Sequence, residues 1–442
     1  MSVSTGDRGS RLPPFMQSLA WVFFPTEFMA HLQRRHGDAF EVRMAGFPPV
    51  HITSHPDEVK DVFGGDPATL EAGVANVILK PLVGPGSLLL LDGARHQRHR
   101  RLMLPPFHGE RMHAYGETIR EVAADTIARW PLGRQFPLHR EMQEVTLQVI
   151  LRTVFGMRAG PRRDRLADAL KRLLAFGEQP WLMLLIDGDG GLRGERVHAR
   201  LGRLSPWLRF QAVRREVDEA LDAEIARLRA EPSEERDDVL ALLVAARDED
   251  GAGLTDAELR DEMVTLLIAG HETTATALTW TVAELARNPE VRATLRQRLA
   301  AGDHEYADAC AKEALRLHPI VPMVARRTTV PLRLGGRELP AGSYVAPSMY
   351  LAQRHPDRWP EPEAFRPERF VGKKVSPAEF FPFGGGARRC LGAAFALYEM
   401  RVVLEELERR TTLHLAPGYR LRVARRGITF APARGLPVIA TA

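Results

Sequence analysis

From about Glu110 to Arg229 the apolar residues recur every three to four positions, a helical period, broken at RAGPRRD and IDGDGGLRGE. The clearest element starts at Thr255. There TDAE sets an N-cap Thr three residues before Glu258, the pattern of a reciprocal capping box, and helical spacing continues to Arg287 before Asn288 and Pro289 end it. Unbroken, that helix would be a rod of about 50 Å at about 1.5 Å per residue. Apolar residues surround it almost completely around VTLLIAG, which places it in the core. HEYADACAKEALRLH and AAFALYEMRVVLEELERR predict two more helices, and helix also begins after Pro56. Strand-like runs are few and short. AFEVRMAG and PPVHIT predict one hairpin, TVPLRLGGREL turns at its two glycines, GSYVAPSM is extended, and RGITFAPARGLPV predicts another hairpin. HPDRWPEPEAFRPERF is a Pro-rich connector. The expected class is mainly α with small β-sheets, an α+β fold. No repeat or low-complexity array divides it, so residues 12–442 are expected to form one domain after a frayed tail, 1–11.

Composition narrows this. At 442 residues, with 45% hydrophobic and 26% charged, the chain has the balance of a soluble globular protein with a large core. The one candidate membrane stretch, LPPFMQSLAWVFFPTEFMA, is interrupted by Gln17, Ser18 and Pro25 and falls short of the about 20 apolar residues a span requires. It is expected to pack on the domain, with no transmembrane segment and a cytoplasmic location. Net charge is +5, carried mainly by scattered Arg with no run of like charges and no nucleic-acid module, so nucleic-acid binding is not expected. A basic surface would suit an acidic protein partner.

Two cysteines cannot supply the four ligands of a structural zinc or an iron–sulfur cluster. Cys310, within a helical pattern, reads as a buried, inert thiol. Cys390 is different. FPFGGGARRCLG crowds it with Gly384, Gly385, Gly386 and Gly392, so something must approach this backbone closely.

Three further signals are weak singly. AGHETT interrupts the apolar surface of the long helix with Gly270, Glu272, Thr273 and Thr274, where a Thr hydroxyl bonded back to the preceding turn would bend or widen the helix. That alone reads rather as a water-satisfied kink with no chemistry, since a lone polar insertion is common in long helices. Glu313 and Arg316 share a helix face, as do His96 and Arg100, and both pairs are compatible with ordinary surface helices.

Taken in order, these segments resemble the cytochrome P-450 superfamily of haem-thiolate monooxygenases, over nearly the whole chain from FEVRMAG to GLPV. FGGGARRCLG matches its Cys loop, AGHETT its oxygen-activating helix, EALR its structural Glu-x-x-Arg pair, and PERF the segment supplying Arg369. The resemblance implies haem b (iron protoporphyrin IX) between the long central helix and the Cys loop with its following helix. Cys390 would be the iron ligand, with Phe383 packed on the sulfur side and Gly392 in the loop. His96, Arg100, Arg326 and Arg388 would meet the propionates. Glu313, Arg316 and Arg369 would form a buried network supporting the loop. On the distal side Ala269 and Gly270 would leave room, Thr273 would hold dioxygen and its waters, and Glu272 would relay protons.

The implied reaction inserts one atom of dioxygen into a lipophilic small molecule. Pocket-lining regions are expected at Val74–Leu91, Leu173–Ile186, Val321–Val324 and Ile428–Phe430, with WLMLLI as a roof or a core helix. No flavin, nicotinamide or iron–sulfur motif is present, so a ferredoxin and its reductase are the expected donors, docking over Arg95, Arg98, Arg389 and Arg401. A peroxide-using enzyme or an isomerase would keep Cys390 without the proton relay, and a non-catalytic haem sensor would require an output domain.

Overall fold

The computed structural model describes residues 9–107, 111–157, 159–177, 205–231, 236–376 and 378–442. The chain runs through helices α1 (Pro14–Phe23) and α2 (Pro25–His36), strands β1 (Ala39–Val42) and β2 (Val50–Thr53), then α3 (Pro56–Gly64), β3 (Leu70–Glu71), α4 (Lys80–Val83), α5 (Gly93–Met103), α6 (Arg111–Ile127), β4 (Gln135–Pro137), α7 (Leu138–Thr153) and α8 (Pro161–Gly177). Next come α9 (Pro206–Ala230), α10 (Val239–Ala245), α11 (Asp256–Arg287), α12 (Pro289–Ala300) and α13 (Glu305–Leu317). The C-terminal part holds β5 (Arg326–Thr328), β6 (Leu332–Leu334), β7 (Arg337–Leu339), β8 (Tyr344–Pro347), α14 (Met349–Ala352), α15 (Ala393–Arg410), β9 (Thr412–Leu415), β10 (Val423–Arg426), β11 (Thr429–Pro432) and β12 (Pro437–Thr441).

Local chemistry sets the helix ends. α11 begins where expected: Thr255 Oγ1 accepts from Glu258 N–H at 3.3 Å while the Glu258 carboxylate accepts from Thr255 N–H at 3.0 Å. It runs unbroken for 32 residues, about 48 Å, to the C-cap Asn288. Because α7, α9, α13 and α15 all pack on it, its sides are buried nearly all round, from Leu259 and Leu267 to Trp280 and Leu285. The large helical core formed there includes Ile119, Leu138, Val217 and Val403.

The strands stay peripheral. A five-stranded sheet has the order β1-β2-β8-β5-β3, with β2 and β8 parallel and the remaining pairs antiparallel. β6 and β7 pair across Gly335 and Gly336, at φ of 59° and 73°, where residues with a Cβ are disfavoured. In RGITFAPARGLPV only the first half is a hairpin, β10 with β11; the final strand β12 pairs instead with β4 and β9.

The N-terminal segment packs on the domain through Gln17 and Trp21, although Phe15, Phe23 and Phe24 are exposed. Gly9, inside the expected tail, is buried and bridges Glu41. No described helix is long and apolar enough to cross a membrane. WLMLLI lies outside the described residues.

Candidate functional site

The loop before α15 is a tight turn built from glycines. Gly384 and Gly386 take φ of 64° and 60°, and a Cβ on Gly386 would overlap the Phe63 carbonyl oxygen of α3. The Cys390 N–H donates to the Phe383 carbonyl at 2.8 Å, closing the loop, and Phe383 packs against the helical core. Gly392 caps α15, and its N–H donates to the Cys390 sulfur, so the thiol stands at a helix N-terminus, where negative charge is favoured. Cys390 exposes surface, yet burial is the largest influence on its thiol and pushes it up, against the Gly392 N–H, Arg100 and Arg389. A side chain shows both properties when it lines an opening walled by protein. Cys310 is buried and free, and desolvation raises its thiol.

Four basic groups converge beside this loop. α5 contributes His96 and Arg100, β5 contributes Arg326, and the 3₁₀ turn Gly386–Arg388 contributes Arg388. Burial and then the neighbouring Arg388 and Arg100 push His96 down to about 4. Burial and Arg388 push the Arg326 guanidinium down to about 10. Arg100 is lowered by burial, with Cys390 pulling the other way. The carboxylate that reaches the group is Asp92, which pairs with Arg388 and also accepts the N–H groups of Ala72, Gly73 and Val74 at 3.0, 3.1 and 3.2 Å. Arg388 further donates to the carbonyls of Leu88, at 3.1 Å, and Leu91. One buried and two half-buried guanidiniums and a buried imidazole against one already engaged carboxylate form a site short of negative charge. Two further carboxylates and a metal that takes thiolate are what a haem brings, so the donor set fits that group.

Asp92 was not legible as a functional residue. It precedes α5 as an N-cap, but its carboxylate makes no cap bond and turns to the 72–74 backbone and Arg388 instead. An Asp at the head of a basic helix four residues before His96 was the available signal.

On α11, Ala269 is exposed in mid-helix between half-buried Ile268 and Gly270, which marks a wall of the same kind. Thr273 Oγ1 donates to the Ala269 carbonyl one turn earlier, without breaking the helix. Gly270 faces α7: a Cβ there would meet Ile150 Cδ1 at 3.3 Å, so its small size also allows the two helices to approach. Glu272 points into a polar cluster, accepting from Gln143 Nε2 at 2.7 Å and lying 3.4 Å from His139 Nε2 and 3.5 Å from Arg426 Nε. Burial alone would raise its carboxyl; the bond and charge of His139, with Arg426, hold it below the usual range.

Beneath the loop, Arg316 forks onto Glu313 at 2.7 and 2.9 Å with both side chains wholly buried, and donates to the carbonyls of Gln353, Pro362 and Ala364 at 2.8, 2.8 and 3.2 Å. Arg369 Nε reaches Glu313 at 3.3 Å, completing the expected trio. Of the four arginines named for docking, Arg98 is bonded to Asp248 at 2.6 Å and Arg401 to Asp308 at 3.4 Å, while Arg95, 3.7 Å from Glu258, is 65% exposed and Arg389 is exposed. Among the expected lining residues, Phe430 instead joins the N-terminal cluster with Trp21, and Ile428 is exposed.

The family model for cytochrome P450 matches residues 8–423 of the chain. A relative from Mycobacterium tuberculosis named cytochrome P450 135B1 is 42% identical over 434 residues, covering 97% of this chain and 89% of that protein. A second from the same organism, cytochrome P450 138, is 37% identical over 431 residues, covering 97% and 95%. Among solved structures, a cyanobacterial P450 with retinoic acid bound superposes with a TM-score of 0.82 at 23% identity, over 98% of both chains. The haem domain of cytochrome P450DA gives 0.81 at 24%, over 98% of this chain and 96% of that one.

Proposed function

Because the chain belongs to the cytochrome P450 family, it binds haem b and is a monooxygenase, and we propose that it oxygenates a lipophilic small molecule of fatty acid, terpenoid, steroid or polyketide type. The observation that carries the assignment of its site is Cys390: a thiol that shows surface while lying deep in protein, at a helix N-terminus, beside His96, Arg100, Arg326 and Arg388. When bound there, haem would supply the activation of dioxygen and the transfer of one oxygen atom to substrate.

The chain's own residues do the rest. Cys390 ligates, and the Gly392 N–H steadies the charge on its sulfur. His96, Arg100, Arg326 and Arg388 take the propionates, and Asp92 fixes Arg388 for that role. Glu313 and Arg316 hold the connector under the loop. On the distal wall, Ala269 and Gly270 keep the space open. The Thr273 hydroxyl holds a proton near the reacting oxygen, and Glu272 resupplies it from the cluster with His139 and Gln143. Half-buried apolar side chains at Val74, Val77, Ile78, Leu266, Ile268 and Val324 support a lipophilic substrate. The electrons come from a ferredoxin and its reductase in the cytoplasm, with Arg95 and Arg389 as contacts.

Two measurements test this. Cys390→His is expected to abolish the red-shifted Soret band that a thiolate ligand gives the ferrous carbon monoxide complex; survival of the band would remove Cys390 as ligand. Thr273→Ala is expected to retain haem and substrate binding but release more hydrogen peroxide and less product per NADPH oxidised. Unchanged coupling would reduce Thr273 to a helix-packing residue.

A further inference from the structure

At the N-terminal end of α3 stands a group of side chains that the oxygen chemistry does not use. His55 caps that helix, and His355 and Asp357 lie on the turn after α14. One ligand atom from each of the three falls within 4.8 Å of the others. The imidazole centroids are 5.3 Å apart and edge-on, and Asp357 Oδ2 is 3.8 Å from His355 Nδ1. His355 is buried, His55 half-buried and Asp357 exposed, so the group opens to solvent on one side only.

The closed side is braced. His355 Nε2 is 3.4 Å from Asp38 Oδ2, and Asp38 Oδ1 accepts from Ser54 Oγ at 2.8 Å and Gln33 Nε2 at 2.9 Å. An imidazole whose far nitrogen donates to a fixed carboxylate has its tautomer and ring plane set, with the near nitrogen left to take a metal. The Asp357 N–H approaches that Nδ1 at 3.4 Å, a long bond that a metal would displace. The Asp57 N–H donates to His55 Nδ1 at 3.3 Å, which leaves His55 Nε2 for coordination. The Asp57 carboxylate also lies near, 4.0 Å from His55 Nδ1, but it pairs with Arg358, and Asp357 is the acid of the trio.

We propose that His55, His355 and Asp357 form a divalent transition-metal site, with zinc as the ion it takes and water completing a tetrahedron. Two imidazoles and a carboxylate are a zinc donor set, and imidazole disfavours magnesium and calcium. Ligands about 2.0–2.1 Å from zinc stand about 3.3 Å apart. The trio therefore has to close by up to about 1.5 Å, through rotation of the two more exposed side chains. The ion would tie the turn after α14 to the start of α3, beside the segment between α2 and β1 whose Asp38 braces His355. The other end of α3 carries Phe63, on which Gly385 and Gly386 of the Cys loop rest.

The test is calorimetric titration of zinc chloride into EDTA-treated, haem-loaded protein, with thermal midpoints measured with and without zinc. His55→Asn keeps an N-cap acceptor and removes the imidazole; Asp357→Asn removes the charge at an exposed position. Wild type is expected to bind one equivalent and gain thermal stability. Each variant is expected to lose at least tenfold in affinity and the thermal gain, with the carbon monoxide spectrum unchanged as proof of folding. No binding by wild type up to millimolar zinc overturns the proposal, as does unchanged affinity in both folded variants.

Discussion

Glu399 shows how a single residue sets a pH response. It is completely buried on α15, its Oε1 has no hydrogen-bond partner among the described residues, and burial alone pushes its carboxyl up to about 8. The folded protein therefore holds this proton at neutral pH, whereas the unfolded chain releases it near the model-peptide value of about 4.3. Stability from this group is complete below that value and is lost as pH rises through about 8. Glu399→Gln is expected to raise the thermal midpoint at pH 7, by up to about 3 kcal/mol of stability, and to flatten its fall between pH 5 and 8. A parallel pH profile in variant and wild type would show that Glu399 is not the group titrating. His96 has the opposite sign. Held down to about 4, it makes the haem-free protein lose stability as pH falls below about 6.5. At this scale Cys390 was legible, because glycines crowd it in the sequence itself. Asp92 was not, because its role depends on backbone N–H groups some twenty residues earlier, and no local pattern encodes that fold-back.

Elements were legible where one stretch of chain decides them. The Thr255 capping box, the Gly335-Gly336 turn and the helix Ala393–Arg410 all follow from neighbours in sequence. β12 does not, since its partners β4 and β9 come from different parts of the chain. Nor does the approach of α11 to α7 at Gly270, which the motif alone marked only as open space. The Cys loop unites both kinds of information, its glycines visible in sequence and its support on α3 visible only in the fold. Gly386→Ala tests that support. A Cβ at φ of 60° costs about 1–2 kcal/mol, and this one also meets the Phe63 carbonyl, which cannot rotate away. The variant is expected to purify with less than half of wild-type haem, read as the Soret-to-protein absorbance ratio. Full haem loading would mean that the loop does not depend on its seat against α3.

Across the whole molecule, one buried ion pair joins segments that the sequence keeps far apart. Asp261 of α11 accepts the Gly86 N–H at 2.8 Å and lies 3.4 Å from Arg214 of α9, whose Nη1 donates to the Leu82 carbonyl at 2.7 Å. A Cβ on Gly84, at φ of 84°, would overlap the Asp261 carboxylate. The central helix is thus fastened to α4 and α9 by a buried pair, in addition to the outer pairs Arg260–Asp222 at 3.0 Å and Arg229–Asp256 at 2.6 Å between α11 and α9. Removing Arg214 takes the nearest cation from a buried carboxylate and leaves it Arg260 at 3.9 Å, a loss toward the lower end of about 3–5 kcal/mol. Arg214→Ala is expected to lower the thermal midpoint and to speed both binding and release of an azole ligand in stopped flow. The carbon monoxide spectrum should not change, because Cys390 and its loop lie on other elements. Arg214→Lys keeps the charge but not the fork, and should restore stability only in part. If Arg214→Ala leaves both stability and ligand kinetics at wild-type values, the apolar contacts and the outer ion pairs hold α4 and α9, and the Arg214–Asp261 pair fastens nothing.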